Sequence, residues 1–205
     1  MITASDVASV IGMSRYESPE DVMYKKCGFS KKYNERSITS MSHGVQYESV
    51  ARDLYCKLTG EIVHEVGLVQ HPEYSFIGAS ADGITESGKV IEIKCPTGKL
   101  RTEIPDYYYP QVQLCMEVLN LDTCDYMEFQ LPDTLNIFSI PRDKDWFMNN
   151  LPIIETFWNN VVDRRKLPLC EIVTPESEQM QEPELSQLEQ SETCDEDLLV
   201  VLVQK

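Results

Sequence analysis

The chain has 205 residues and 42% apolar content, enough for one domain with a proper core and an appendage. No apolar run approaches the roughly 18 residues of a membrane span, and the start Met1-Ile2-Thr3-Ala4-Ser5-Asp6 lacks the basic and apolar regions of a secretory signal; a soluble, intracellular protein with no membrane partner is expected. A net charge of −16 argues against a general nucleic-acid binder, yet residues 171–205 alone hold ten acids and one lysine. The remainder keeps basic clusters at Lys25-Lys26, Lys31-Lys32, Lys99 with Arg101, and Arg164-Arg165-Lys166, which can contact phosphate locally. Seven scattered cysteines without a C-x-x-C pair speak against a disulfide scaffold or zinc ribbon and for a reducing compartment.

In chain order, Thr3 to Ile11 reads as a short helix with Ala4, Val7, Ala8, Val10 and Ile11 inward and Gly12 at its end. Ser18-Pro19-Glu20 is an N-cap, a first-turn proline and an acid, so a second helix starts there. Residues 27–40 are polar. A helix is predicted over Met41–Leu58, ending at Gly60, with Val45, Val50, Leu54 and Leu58 on its inner side. Strands are expected at 61–69, 74–80 and 88–94, with a turn-rich stretch 83–89 ahead of the last. A helix over 106–120 follows, with Pro110 in its first turn and Leu114, Val118 and Leu119 inward. Strands at 124–131 and 135–140 precede a last helix from Arg142 to Lys166, broken or kinked near Pro152. This order predicts an α/β fold, a mixed central sheet flanked by helices. Residues 171–197 have the composition of disorder, and the apolar end 198–203 is either a frayed terminus or a docking strand.

The most informative run is Gly78-Ala79-Ser80-Ala81-Asp82-Gly83, followed by Val90-Ile91-Glu92-Ile93-Lys94-Cys95-Pro96. Residues two apart on a strand share a face, so Glu92 and Lys94 emerge side by side with Ile91 and Ile93 behind them. A reversal over 83–89 folds Asp82 back beside Glu92, and Gly83 permits close backbone approach. Two carboxylates and a lysine on one face suit a hard cation such as Mg²⁺ or Mn²⁺. On its own, Glu-x-Lys also fits a solvated strand face with a weak ion pair. Further parts lie nearby: Glu48 in Gly44-Val45-Gln46-Tyr47-Glu48, and Tyr108 with Gln111, three apart on one helix face, within Tyr108-Tyr109-Pro110-Gln111-Val112-Gln113. Cys95 reads as core rather than reactive.

Taken together, Ile2-Thr3-Ala4-Ser5, the Gly-x-x-x-Glu helix, Gly-Ala-Ser-Ala-Asp-Gly, Ile-Glu-Ile-Lys-Cys-Pro and Tyr-x-x-Gln-Val-Gln resemble the PD-(D/E)XK nuclease superfamily, and within it the lambda-exonuclease-like, YqaJ-type viral recombinase family. The resemblance covers roughly residues 1–165 and implies a restriction-endonuclease-like nuclease domain over 1–170 and a metal-dependent DNA exonuclease, 5′→3′ on double-stranded DNA, in recombination or repair. It implies Asp82, Glu92, the main-chain carbonyl of Ile93 and Glu48 as ligands of Mg²⁺ (or Mn²⁺), Lys94 as the residue that positions or activates the attacking water, and Gln111 and Tyr108 as its supports. A lysine beside such a cation is expected to have its pKa pulled down. Ser5, with Thr3 beside it, matches a 5′-phosphate pocket. The family further implies DNA, a single-strand-annealing protein and a homotrimer as partners. Two departures stand out. Ala81 replaces the usual proline before the first acid. Related chains also carry, ahead of Ile-Thr-Ala-Ser, an Arg that grips the 5′-phosphate; its absence leaves open a shortened frame, replacement by a residue such as Arg15, or loss of terminal-phosphate specificity. An endonuclease of the same fold and a non-catalytic binding module are the competing readings.

Overall fold

A computed structural model describes residues 1–30 and 33–167. The predicted acidic tail 171–205 and the pair Lys31-Lys32 lie outside the described residues.

The elements run β1 (Ile2–Thr3), α1 (Ala4–Val10), α2 (Pro19–Lys26), α3 (Glu35–Thr59), β2 (Val63–His64), β3 (Val69–Gln70), β4 (Ile77–Ala79), β5 (Gly83–Thr85), β6 (Val90–Lys94), α4 (Tyr109–Leu119), β7 (Thr123–Gln130), β8 (Thr134–Pro141) and α5 (Lys144–Arg164). The fold is mixed α/β, as expected, but its strands form two sheets. A three-stranded sheet has the order β1-β4-β3 and a five-stranded one the order β2-β5-β6-β7-β8. In the larger sheet β6 and β7 are parallel and the other pairs antiparallel. The parallel pair needs a crossover, which α4 supplies.

The predicted strand 61–69 is two short strands, one in each sheet, and the strand 74–80 contracts to β4. The chain passes from one sheet to the other between Ala79 and Gly83, so Asp82 sits at the crossing. Part of the predicted turn is strand: β5 pairs with β6 through Gly83↔Ile91 and Ile84↔Val90. The reversal itself is Glu86–Lys89, closed by Gly88 N–H to Thr85 O at 3.0 Å, with Gly88 at φ +85°. Gly83 does allow a close approach, that of β2: a Cβ there would collide with Val63 and lie 3.3 Å from the His64 carbonyl.

Helix α3 begins six residues earlier than predicted, because Asn34 caps it by accepting from Ser37 N–H at 2.8 Å. Its inner face also differs. Ala51 and Tyr55 are fully buried, one turn apart, while Val45, Val50 and Leu58 are exposed. The Tyr55 hydroxyl explains the choice: it donates to buried Asp125 at 2.7 Å, a partner that a valine stripe could not satisfy. Helix α4 is buried nearly all round, at Val112, Leu114, Cys115, Met116 and Val118, since α1 and α5 pack on it from one side and the sheets from the other. Helix α5 runs unbroken through Pro152. Pro152 and Met148, whose carbonyl loses its partner, are both exposed, so water can replace the missing bond. Asp143 caps α5 through the N–H groups of Asp145 and Trp146.

Gln113, 1% exposed, ties α4 to the β8–α5 junction. Its amide donates to Pro141 O at 3.0 Å and accepts from Asp143 N–H at 2.8 Å. Gln113→Ala leaves both backbone groups without that partner, at about 1–3 kcal/mol each. Thermal unfolding followed by circular dichroism should therefore give a Tm lowered by roughly 5–15 °C for a domain of this size; a Tm within about 2 °C of the parent contradicts this role.

Candidate active site

Where β5 separates from β6, the Asp82 side chain replaces a strand: its Oδ2 accepts the Ile93 N–H at 2.7 Å. In a strand the N–H and C=O of one residue point to the same edge, so the Ile93 carbonyl lies on the Asp82 side. Beyond this point the alternation of β6 sorts its residues. Ile91 and Ile93 pack with Met127, Phe129, Ala51 and Tyr55 under α3. Glu92 and Lys94 face the other way, toward α4.

Glu92 is not a solvated strand residue. It is 1% exposed, and the groups covering it are specific. Its Oε1 accepts from Lys94 Nζ at 2.6 Å and from Gln111 Nε2 at 2.5 Å. Lys94 Nζ also reaches Gln111 Oε1 at 3.5 Å and lies 4.9 Å from the centre of the Tyr108 ring. Tyr108 is the N-cap residue of α4 and Gln111 lies in its first turn, so one helix start places both against Lys94. The other carboxylate oxygen, Glu92 Oε2, is buried and has no hydrogen-bond partner among the described residues.

Charge is unbalanced here. Burial pushes the Glu92 carboxyl up to about 7; Lys94 works against this, while Asp82 and Glu48 reinforce it. Glu48 on α3 is itself raised, first by burial and then by Asp82, although Arg52 holds its Oε1 at 2.8 Å. Burial disfavours the Lys94 ammonium, but Glu92 and Asp82 outweigh burial and hold its pKa above the ordinary value. The Cys95 thiol is pushed up to about 11, chiefly by burial with Glu48 and Asp82 adding, in keeping with an unreactive residue.

Among the described residues, no three His, Cys, Asp or Glu side chains converge closely enough to cage a metal ion. The donor set nevertheless fits a hard divalent cation held by one or two carboxylates, a carbonyl and solvent or phosphate oxygens: three carboxylates influence one another, one of them has a buried oxygen with no hydrogen-bond partner among the described residues, and Lys94, with Arg52 on Glu48, offsets them only in part. Thr3 and Ser5 belong to a separate arrangement. Thr3 Oγ1 donates to Asp6 at 2.5 Å and lies 3.0 Å from Ser5 Oγ, while Lys25 and Lys26 pair with Asp6. No hydrogen bond among the described residues joins either hydroxyl to the Glu92 cluster.

Two residues beside the site are not among those singled out from sequence. Glu128, beside Lys94 in the β6–β7 ladder, is fully buried and bound by Arg101 N–H (2.8 Å), Arg101 Nη1 (2.5 Å) and Tyr126 Oη (2.9 Å). An acid at an inward position of an apolar strand is the signal that marks it. His43 Nδ1 lies 3.1 Å from Cys95 O, a contact across 52 residues that no local pattern carries.

Residues 1–122 match the family described as YqaJ-like viral recombinase domain. The chain is 30% identical over 151 residues to a protein of Acanthamoeba polyphaga mimivirus, covering 64% of this chain and 27% of the relative. It is 25% identical over 125 residues to YqaJ of Bacillus subtilis, covering 58% and 39%. It thus spans well under half the length of these two relatives. Among solved structures, the alkaline exonuclease LHK-Exo of Laribacter hongkongensis superposes with a TM-score of 0.68 at 29% identity, covering 80% of this chain and 89% of that one. A phage-related exonuclease of Haemophilus somnus shares the fold, with a TM-score of 0.58 at 13% identity over 79% and 95% of the two chains. With its family match extending over more than half its length, the chain belongs to the YqaJ-like viral recombinase domain family.

Proposed function

We propose that this chain is a metal-dependent DNA exonuclease that degrades double-stranded DNA 5′→3′ in recombination or repair. The observation that carries the reading is the buried Glu92, whose Oε1 is shared by Lys94 and Gln111 while its Oε2 has no hydrogen-bond partner among the described residues. The likeness to LHK-Exo over most of both chains supports the reaction class. Asp82, Glu92, the Ile93 carbonyl and Glu48 would hold Mg²⁺ (or Mn²⁺), which supplies Lewis-acid polarisation of the phosphoryl oxygen.

The protein groups divide the remaining work. Lys94, held as an ammonium by Glu92 and Asp82, has three donors. Two are directed at Glu92 and Gln111, and the third is free to orient the attacking water or a phosphate oxygen. It positions or activates that water and stabilises developing charge. Gln111 fixes Glu92 and Lys94 relative to each other, and the Tyr108 ring packs on the ammonium. Thr3 and Ser5 contact the terminal phosphate. The partners are DNA, a single-strand-annealing protein, and two further copies of the chain in a trimer.

With Mg²⁺ and end-labelled linear duplex, Lys94→Ala and Asp82→Asn should each lower the cleavage rate by about 10²–10⁴-fold. The asparagine can still accept the Ile93 N–H, so its loss reports on charge. Full activity in either variant sinks the site assignment, and cutting of covalently closed circles turns the reading toward an endonuclease. Gln111→Ala should lower kcat by about 10–100-fold, the usual effect of removing a group that orients a metal-site residue.

A pH experiment probes the buried acid. Glu92 is raised in the fold from an ordinary 4.5 to about 7, so the folded state binds its proton more tightly than the unfolded chain does. Its contribution to stability is therefore present at low pH and lost as pH rises from about 4.5 through about 7. In EDTA, the Tm difference between the parent and Glu92→Gln should change across that window in favour of the variant at the higher pH. A difference that stays constant between pH 5 and 8 contradicts the shift.

A further inference from the structure

Next to the Glu92 cluster, the segment leading into α4 borders a cavity of about 460 Å³ lined by Arg15, Arg101, Ile104, Pro105 and Tyr107 among others. The Arg15 guanidinium lies 5.1 Å from the Tyr16 ring centre and 5.2 Å from that of Tyr107. The two rings meet edge to face at 5.4 Å. Tyr16 is 56% exposed. Arg15 pairs with no carboxylate among the described residues, whereas Arg101 is neutralised by buried Glu128. Glu103 and Asp106 also line the cavity, so an incoming anion is steered to the Arg15 end. Tyr107 contacts Tyr108 at 4.6 Å, and Tyr108 carries Lys94 over its ring. Ring contacts thus run without a gap from the cavity to the site.

We propose that this cavity, with the exposed Tyr16 ring beside it, is a subsite for one unpaired nucleotide of a DNA strand, its base stacked on Tyr16 with Tyr107 edge-on to it and its phosphate held by Arg15. An exposed ring beside a cation that has no carboxylate partner among the described residues supplies the elements of single-strand recognition. A guanidinium held against an aromatic ring keeps N–H groups available for phosphate oxygens. The contact path from Arg15 to Lys94 is about 15 Å, between four and five nucleotide steps at ~3.4 Å rise, so a strand in this subsite can present a phosphodiester to Lys94. The assignment of that end of the strand rests on the nuclease reading above; the stacking subsite itself does not.

The test is fluorescence anisotropy with the full chain in EDTA, using a labelled single strand of about 12 nucleotides. Tyr16→Leu and Tyr107→Leu should each weaken binding by roughly 5- to 100-fold. Arg15→Gln should weaken it and lower the salt slope by about one phosphate contact. Circular dichroism confirms folding; Tyr16 is exposed, so its variant remains informative if Tyr107→Leu fails to fold. Affinity within twofold of the parent in Tyr16→Leu, or a parent that does not bind the strand, overturns the proposal. Cleavage of linear duplex by the parent in Mg²⁺ is scored separately. No cleavage together with weakened strand binding leaves the subsite standing and removes the nuclease reading; cleavage with unchanged binding does the reverse.

Discussion

The hydrogen bond from Ile93 N–H to Asp82 governs the architecture around the site. A side chain stands where a strand would otherwise continue, so β5 can begin pairing only at Gly83 while the Ile93 N–H on β6 is still satisfied. The chain is thereby free to cross from the smaller sheet within three residues. The same carboxylate that completes the backbone accounting is brought against Glu92. Structure and electrostatics are coupled at one atom pair, and Gly83 belongs to that coupling because β2 leaves no room for a side chain there.

Burial of Glu92 is the costly part of this arrangement. A carboxylate out of water loses several kcal/mol of solvation unless it is paired and hydrogen-bonded. Lys94 and Gln111 offset part of that loss through one oxygen. The second oxygen has no hydrogen-bond partner among the described residues, and Asp82 and Glu48 add repulsion. Such an imbalance is disfavoured in a purely structural network, where a half-satisfied polar group is worse than an apolar one. It is the expected signature of a place where stability is given up for a ligand that brings positive charge.

Local spacing made much of this legible from sequence. The period-two pattern of Val90-Ile91-Glu92-Ile93-Lys94 fixes which residues share a face, and the Tyr108/Gln111 spacing fixes which side of a helix meets them. Caps at Ser18 and Gly60 delimit two helix ends. What local pattern cannot carry is the identity of the surface opposite. The buried face of α3 follows Tyr55 because Asp125, 70 residues away, accepts its hydroxyl. The 61–69 stretch divides between two sheets because its partners, β5 and β4, lie later in the chain. Pro152 leaves α5 intact because it falls on the solvent side.

The connection between Lys94 and Gln111 links these observations. Both of its ends lie in the site, so any movement within it would displace the ammonium or the amide. It is tied to the sheet instead. Glu128 holds the Arg101 backbone and guanidinium, Asn136 donates to Arg101 O at 2.9 Å, and Gln130 donates to Gly98 O at 3.1 Å. All three anchors come from β7 and β8, and β7 pairs in parallel register with β6 from Val90 to Lys94. One sheet therefore fixes the lysine, the helix start and the tyrosines between them as a single unit. A polar anchor of this kind holds geometry better than apolar packing would, because displacing the segment strands a fully buried acid. The wholly buried Glu128 is thus best understood as the residue that keeps Tyr107 and Tyr108 in place, Tyr108 over Lys94, supporting the site without belonging to it.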